Sequence, residues 1–401
     1  MVVSQIAEWG RRKGIDLLGT ADWTHPLWFK ELKAGLEEVG EGIYRAKGTT
    51  HPYFLLSTEI SSIYSQGGKL RKIHNLVLAS SFEIVEKINS ALLSKGCNLM
   101  ADGRPIIGIT SRDLTAMILE IDENCLVIPA HIWTPWFSLF GANSGFDSLK
   151  ECFGDMSKFI YAIETGLSSD PAMNWRIEQL DNRSILSFSD AHSPEKLARE
   201  ATVFEIGEEK KLSYDDVKRA IQEQKVEYTI EFYPEEGKYH YTGHRNCGVR
   251  QSPEETRKLG SICPVCGKKL TVGVMHRVEQ LASRASDFKP SNRPSYKMLV
   301  PLMEILAESF QTGVTSQKVY IEYNKLIESF GSEFNVLIQI KPEEIGRVSG
   351  EKVAEAIKKV RKGELLIEPG YDGLFGKVKI WAQPASDSEA PRNKQKQMTL
   401  F

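Results

Sequence analysis

The first half of the chain is built on six short apolar runs, at residues 15–20, 53–57, 75–79, 125–130, 159–163 and 184–189, with helical patterns between several of them. No other feature narrows the fold as much. Runs of this length, closed by Gly or by polar residues, read as buried strands rather than helices. Strands alternating with helices predict parallel βα units, so the fold class is α/β and the expected architecture a distorted βα barrel. Residues 2–13 precede the first run and read as a short amphipathic helix with Ile6 and Trp9 on one side. At 401 residues the chain is too long for one small core, and two or three domains are expected.

In parallel α/β folds the chemistry sits at the C-terminal ends of strands. The residues at the boundaries of these runs are therefore informative. Asp22 follows the first run, Glu59 the second, His131 the fourth, and Asp190 with His192 the last, while His74 stands just before the third. Any one of them could be an ordinary structural residue; six carboxylates and imidazoles at strand boundaries point to metal. Mixed His/Asp/Glu sets suit Zn²⁺, Mn²⁺ or Mg²⁺, and such ions can activate water and stabilise the oxygens of a phosphodiester displacement.

A second pattern is local. His244 and Cys247 form an HxxC pair and Cys263 and Cys266 a CxxC pair, with fifteen residues between them, and Gly248 and Gly267 follow each pair. Two close pairs on tight turns can surround one Zn²⁺ tetrahedrally, and four protein ligands make such a site structural rather than catalytic. Unmetallated thiols, or His240 or His276 as the fourth ligand, are the alternatives. The other cysteines, Cys97, Cys125 and Cys152, are scattered, which is not the spacing of a secreted disulfide scaffold. There is no run of 18 apolar residues and no signal-peptide core, so the expected location is cytoplasmic, away from membranes.

Charge is uneven. The whole chain carries −2, but residues 241–300 hold eleven Lys or Arg against four acids, a local balance of +7 around the cysteine cluster. A phosphate backbone is one reason to concentrate charge so, a solvated basic face the other. Arg245, Arg250, Lys268, Lys269, Arg277, Arg284 and Arg293 are the candidate DNA contacts.

Beyond residue 291 helical patterns return. Residues 345–357 weakly resemble the second half of a helix-hairpin-helix, in which a Gly turn offers helix N-terminal amides to a phosphate; plain helical packing fits them equally. Glu368-Pro369-Gly370-Tyr371-Asp372-Gly373 reads as a tight turn. Residues 383–396 are rich in Pro, Ser, Ala and charge and read as a mobile tether. The closing Gln397-Met398-Thr399-Leu400-Phe401 resembles the bacterial clamp-binding pentapeptide, in which Gln397 would hydrogen-bond and Met398, Leu400 and Phe401 would fill a pocket on the DNA sliding clamp. Gln395, Met398 and Phe401 partly fit the archaeal and eukaryotic clamp box, with one aromatic missing.

Gly19-Thr20-Ala21-Asp22, Thr58-Glu59, Ile73-His74-Asn75, Pro129-Ala130-His131 and Ser187-Phe188-Ser189-Asp190-Ala191-His192 look like successive motifs of the PHP phosphoesterases. With Tyr239-His240-Tyr241-Thr242-Gly243-His244, the CxxC pair and Ile367-Glu368-Pro369-Gly370-Tyr371-Asp372-Gly373, the wider sequence is most similar to the endonuclease Q family. The resemblance implies a PHP-type barrel over residues 1–225, a zinc-binding DNA-contact module over 226–290, a helical DNA-binding region over 291–382 and a clamp-binding tail over 383–401. It implies Asp22, Glu59, His74, His131, Asp190 and His192 as metal ligands, with Asp190, His192 and His131 catalytic. The activity it implies is metal-dependent cleavage of DNA on the 5′ side of deaminated bases (uracil, hypoxanthine, xanthine) or abasic sites. A lesion must be read outside the base stack, and Trp133, Trp136 and Phe137 could stack on it or simply pack at the barrel rim. The family's first strand ends in a His-x-His pair, which this chain lacks; it opens in what should be the following helix. The expectation is a start downstream of the natural one, with an unpaired barrel edge and an incomplete metal shell. A PHP phosphatase of small esters and a non-catalytic, clamp-associated DNA-binding adaptor are the alternatives.

Overall fold

The computed structural model describes residues 2–100, 104–207 and 211–382; the clamp-binding residues Gln397, Met398, Leu400 and Phe401, and Gln395 with them, lie outside these. Helix α1 (Val3–Lys13) opens the chain and stops at Gly14 in the left-handed region. Strand β1 (Leu17–Gly19), helix α2 (Pro26–Gly35) and strands β2 (Leu36–Gly40) and β3 (Ile43–Ala46) lead to two long strands, β4 (Tyr53–Gln66) and β5 (Lys69–Ala79). These two form a hairpin joined at Gly67-Gly68, where φ is 62° and 73°. A two-residue turn with both φ values positive matches the twist of the flanking strands, and glycine adopts it without a Cβ clash. Helix α3 (Phe82–Ser94), strand β6 (Ile106–Ile107), helix α4 (Ser111–Ile121) and strand β7 (Leu126–Pro129) complete a seven-stranded sheet.

Its order is β2-β3-β4-β5-β7, with β1 and β6 both parallel to β4. The β3–β4, β4–β5 and β5–β7 pairs are antiparallel, so the expected run of parallel βα units gives way to a mixed α/β fold. Periodicity identifies a buried strand but not its partner, which is why direction was misjudged. Helix α5 (Leu149–Phe153) precedes the parallel pair β8 (Ala162–Glu164) and β9 (Ser184–Leu186), whose strands are connected through helix α6 (Pro171–Trp175). Strand β10 (Ala201–Phe204), helix α7 (Tyr214–Gln222) and strand β11 (Val226–Glu231) follow, and β11 later pairs in parallel with β14 (Ser295–Met298). Those hydrogen bonds cross both expected boundaries, at 225 and at 290. Among the described residues the sheets do not join into a closed barrel, and β1 pairs with β4 alone. An open cavity of about 1950 Å³ lies beside β1, between β3, β4, β10 and residues 332–339.

Between β11 and β14 sit the hairpin β12 (Thr242–His244) and β13 (Val249–Gln251), then helices α8 (Pro253–Leu259) and α9 (Val274–Leu281). Val274 and Val278 of α9 are buried in the same apolar cluster as Trp133, Phe140 and Phe153, which seats the cysteine module on the main core. Helices α10 (Leu302–Phe310), α11 (Gln317–Phe330), α12 (Pro342–Ser349) and α13 (Glu351–Lys362) form a second core. The pair α12–α13 turns at Gly350 with φ 86°, a backbone that a side chain rarely adopts. Strands β15 (Leu366–Glu368) and β16 (Lys377–Lys379) close the described chain as a hairpin. No described helix is long and apolar enough to cross a membrane.

The first helix is tied to the C-terminal helices by a buried ion pair. Lys13 Nζ stands 2.6 Å from Glu333 Oε2, with side chains 2% and 4% exposed, and Tyr323 Oη and the Leu302 amide donate to the same carboxylate at 3.0 Å. Removing one partner strands the other charge in a low-dielectric interior, which costs about 3–5 kcal/mol. Lys13→Ala is therefore expected to lower the denaturant midpoint markedly, while Lys13→Met with Glu333→Leu recovers most of it. An unchanged midpoint in Lys13→Ala would show that solvent reaches the pair.

Candidate active site

The β4–β5 hairpin brings the first two ligands together. His74 pairs with Ser61 and Leu76 with Glu59, so Glu59 and His74 are diagonal neighbours on one face. Both lie well inside long strands, a correction to their placement at strand boundaries; the apolar runs are only the buried parts of strands that continue through Ser and Thr. His131 arrives just beyond β7, where the Ala130 amide donates to the His74 carbonyl at 3.0 Å. The result is a compact triangle. Glu59 Oε1 is 2.8 Å from His74 Nδ1 and 3.2 Å from His131 Nε2, and the two nitrogens are 3.0 Å apart. Tetrahedral Zn²⁺ with bonds of about 2.0–2.1 Å separates its ligands by roughly 3.3 Å, so these residues fit a divalent cation with adjustments of a few tenths of an ångström.

Their electrostatics agree with that use. Burial opposes the Glu59 charge, yet hydrogen bonds from His131 and His74 hold its carboxyl well below the usual range. Burial brings His74 down to about 4, which leaves a neutral ring with a lone pair at neutral pH. Burial also works against charge on His131, but Glu59, Glu164 and Asp190 around it raise its pKa. Glu164, at the end of β8, accepts the His131 amide at 2.7 Å, and burial pushes its own carboxyl up to about 7. Glu164 directly follows the run at 159–163, the same position after an apolar run as Glu59 and His131, but is not among the six residues that the sequence pattern selects.

The remaining expected ligands line the same cavity as Glu59 and Glu164 without joining the triangle: Asp22, Asp190 and His192. His192 Nδ1 donates to the Asp190 carbonyl at 3.0 Å, which in a neutral ring puts the lone pair on Nε2. Backbone strain gathers here. Asp22, His131 and Asp190 have φ of 45°, 32° and 42°, and Ala21 and Phe137 are also positive. A non-glycine residue in that region costs about 1–3 kcal/mol and persists where the surroundings overdetermine it, characteristically at functional sites.

Arg104 was not foreseen, and nothing in its sequence neighbourhood marks it. Its Nε is 3.0 Å from Glu59 Oε1, its Nη1 3.1 Å from His74 Nδ1 and its Nη2 3.8 Å from Asp190 Oδ1. The guanidinium uses the same carboxylate and the same imidazole nitrogen as a bound cation would, so the two compete. A charge-assisted contact is worth about 1.5 kcal/mol at the lower end of its range, or roughly tenfold in affinity. Arg104→Gln is expected to bind Zn²⁺ or Mn²⁺ about tenfold more tightly in calorimetric titration. Equal or weaker binding would mean that Arg104 supports the metal rather than opposing it.

Of the three aromatics beyond His131, Trp133 is fully buried with Nε1 donating to Asn174 at 2.8 Å, which makes it core and removes it from any stacking role. Phe137 stands 4.9 Å from the His74 ring, and Trp136 is partly exposed, edge-on to Tyr239 at 5.4 Å.

The second group is His244, Cys247, Cys263 and Cys266, whose ligand atoms all lie within 4.8 Å of one another, with Cys266 Sγ 3.4 Å from His244 Nδ1. His240 and His276 are outside it. Burial opposes ionisation of Cys263, but amides of Cys266 and Val265 and the ring of His244 bring its thiol down to about 6. The left-handed Gly248 and Gly267, φ 65° and 70°, let each turn fold back on its sulfurs. Around it, Arg245, Arg250, Lys268 and Lys269 are exposed. The other three arginines are occupied inside the protein. Arg277 binds the Phe140 and Phe146 carbonyls and Asp147; Arg284 grips Asp181 and the Trp175 carbonyl; Arg293 bonds to Leu180, Arg183 and Gln224.

Comparisons with known proteins show where this fold recurs. Residues 301–364, the α10–α13 unit, match the family model of the MJ0043 C-terminal domain. An uncharacterized protein of Methanocaldococcus jannaschii is 34% identical over 276 residues, 66% of this chain but only 34% of that relative, so the chain spans about a third of its length. The Bacillus subtilis protein YqxK is 30% identical over 380 residues, 93% of this chain and 91% of its own. The lesion-specific endonuclease Q of Pyrococcus furiosus superposes with a TM-score of 0.82 and 31% identity over 96% of this chain and 93% of its own. An endonuclease Q bound to a 27-mer duplex with an abasic lesion at its active site gives a TM-score of 0.82 and 32% identity, over 96% and 94%.

Proposed function

The chain belongs to the endonuclease Q family, and from that premise we propose that it is a DNA-repair endonuclease hydrolysing the phosphodiester 5′ to a deaminated base (uracil, hypoxanthine or xanthine) or an abasic site by metal-activated water. The observation that carries the reading is the Glu59–His74–His131 triangle at the edge of an open cavity into which Asp22, Asp190 and His192 also face. Glu59, His74 and His131 would hold a divalent ion, Zn²⁺, Mn²⁺ or Mg²⁺, which would supply Lewis acidity and activate water at neutral pH. The chain's own residues do the rest. Glu164 fixes the His131 backbone, Asp190 lies within 3.8 Å of the Arg104 guanidinium that touches Glu59, and His192, on the cavity wall, would serve as a proton acceptor or donor. Mounted on paired strands and a hydrogen-bonded loop, these groups are pre-positioned rather than assembled on binding.

The cysteine module serves as a second, structural zinc site that holds Arg245, Arg250, Lys268 and Lys269 against the duplex backbone. The tail carries a clamp-binding sequence that would tether the enzyme to replicating DNA.

The test is a labelled duplex with one central uracil, hypoxanthine or abasic site, incubated with the full chain and Mn²⁺ or Zn²⁺, beside an undamaged duplex and a small phosphomonoester. A single nick 5′ to the lesion, leaving 3′-hydroxyl and 5′-phosphate ends, is the expected result. Turnover of the phosphomonoester alone would make the protein a phosphatase, and lesion binding without a nick would make it an adaptor.

A further inference from the structure

The turn between β15 and β16 holds an aromatic side chain out in water and does so rigidly. Phe375 is 70% exposed. Leaving a large apolar side chain in water forgoes roughly 1.5–3 kcal/mol of burial, which single surface residues commonly tolerate. Here it has company, because Leu374, Ile367 and Leu366 of the same hairpin are exposed too. The turn is locked to residues 235–245 by backbone hydrogen bonds: Gly370 N to Glu235 O at 2.8 Å, Gly373 N to Lys238 O at 2.9 Å, Gly376 N to Glu236 O at 3.0 Å and Tyr241 N to Gly370 O at 2.9 Å. A Cβ at Gly376 would lie 2.0 Å from the Glu235 carbonyl, so only glycine allows this contact. Asp372 accepts from the Arg245 amide at 2.7 Å and from Thr271 Oγ1 at 2.5 Å. The Pro-Gly and Asp-Gly turn noted in the sequence therefore works as a mount.

The mount connects to the candidate active site through aromatic contacts. Phe137 stands against His74, Trp136 against Tyr239, and the Tyr239 hydroxyl is 3.9 Å from where a Cβ on Gly373 would stand. Lys238 Nζ lies 4.5 Å from the Phe375 ring centroid, and Arg245, Arg250 and Lys377 are exposed nearby. A rigid apolar tip within a basic rim is complementary to duplex DNA, whose backbone is anionic and whose interior is stacked rings.

The geometry points to Phe375 as a wedge that enters the base stack of duplex DNA and fills the gap left when the damaged nucleotide is drawn out toward the metal group. This rests on the nuclease reading given above. A nucleotide leaving the stack breaks two stacking contacts, and an aromatic ring in the gap replaces them, favouring the extruded state of a lesion over that of a sound base pair. Lys238, beneath the ring, neutralises phosphate at the entry point.

The experiment uses the full chain and a duplex carrying 2-aminopurine beside a single abasic site. Wild-type protein is expected to change the 2-aminopurine fluorescence strongly on binding. Phe375→Ala should abolish most of that change and reduce the preference for lesion over undamaged duplex about tenfold, while Phe375→Trp retains both; circular dichroism and melting should match wild type, since the side chain is exposed. The wedge is overturned if Phe375→Ala alters fluorescence and preference no more than Phe375→Trp does, or if it weakens lesion and undamaged binding equally. Loss of lesion binding in the wild type itself would instead strike the nuclease reading, and with it the wedge.

Discussion

Glu59→Gln is expected to lower nicking of a lesion-bearing duplex by about a thousandfold, with most of the loss in kcat and little in KM. The substitution keeps the size of the side chain and exchanges an anionic ligand for a neutral amide at the one oxygen shared by both imidazoles. A metal ion's stabilisation of developing charge contributes several kcal/mol; about 4 kcal/mol corresponds to roughly a thousandfold in rate. Duplex affinity, which depends on basic residues elsewhere, should change less than threefold. Bound active-site metal after dialysis should fall with the activity, whereas Glu254→Gln, on an exposed helix turn, should leave both unchanged. If Glu59→Gln nicks within tenfold of wild type, the triangle is not the reaction centre.

How much of this could be read from the chain follows from how local each feature is. The HxxC and CxxC pairs are legible because two turns of a few residues bring each pair together; the association of the pairs, and with it His244 rather than His240 or His276 in the cluster, is non-local. Glu59, His74 and His131 were identified as residues, but their convergence depends on the hairpin register, and the Gly67-Gly68 turn that sets it was passed over. Strand direction escaped because a buried apolar run looks the same in a parallel or antiparallel sheet. Arg104 was invisible: a guanidinium delivered by a loop into a site 45 residues away in sequence from Glu59 leaves no periodic trace. Arg277, Arg284 and Arg293 show the opposite error. Counting charge treats every arginine as surface, whereas these three hold carbonyls and carboxylates within the protein, so the exposed basic face is smaller than the composition suggested.

The cysteine module gives the other large expected effect. Cys263→Ser should release about one equivalent of zinc per chain, and chelation of the wild type by a strong zinc ligand should reproduce the variant. Four sulfur and nitrogen ligands close the site, so losing one opens a coordination position and makes metal affinity steeply dependent on pH and competing chelator. Between its anchors in Asp372 and α9, apolar packing contributes little to this segment. Hairpin β12–β13 has three residue pairs, and Val265 and Ile262 are exposed rather than packed. Without metal, residues 244–269 should become susceptible to protease while the two main cores, which bury their own apolar side chains, melt as before. DNA binding is the functional readout. Each phosphate neutralised contributes about −0.9 to the slope of log affinity against log salt, so loss of the ordered face bearing Arg245, Arg250, Lys268 and Lys269 should flatten that slope by about 3 to 4. His244→Cys keeps four zinc ligands and should retain both the metal and the slope. Retention of a full equivalent of zinc and an unchanged salt slope in Cys263→Ser would show that the cluster neither holds the ion nor organises the DNA-facing surface.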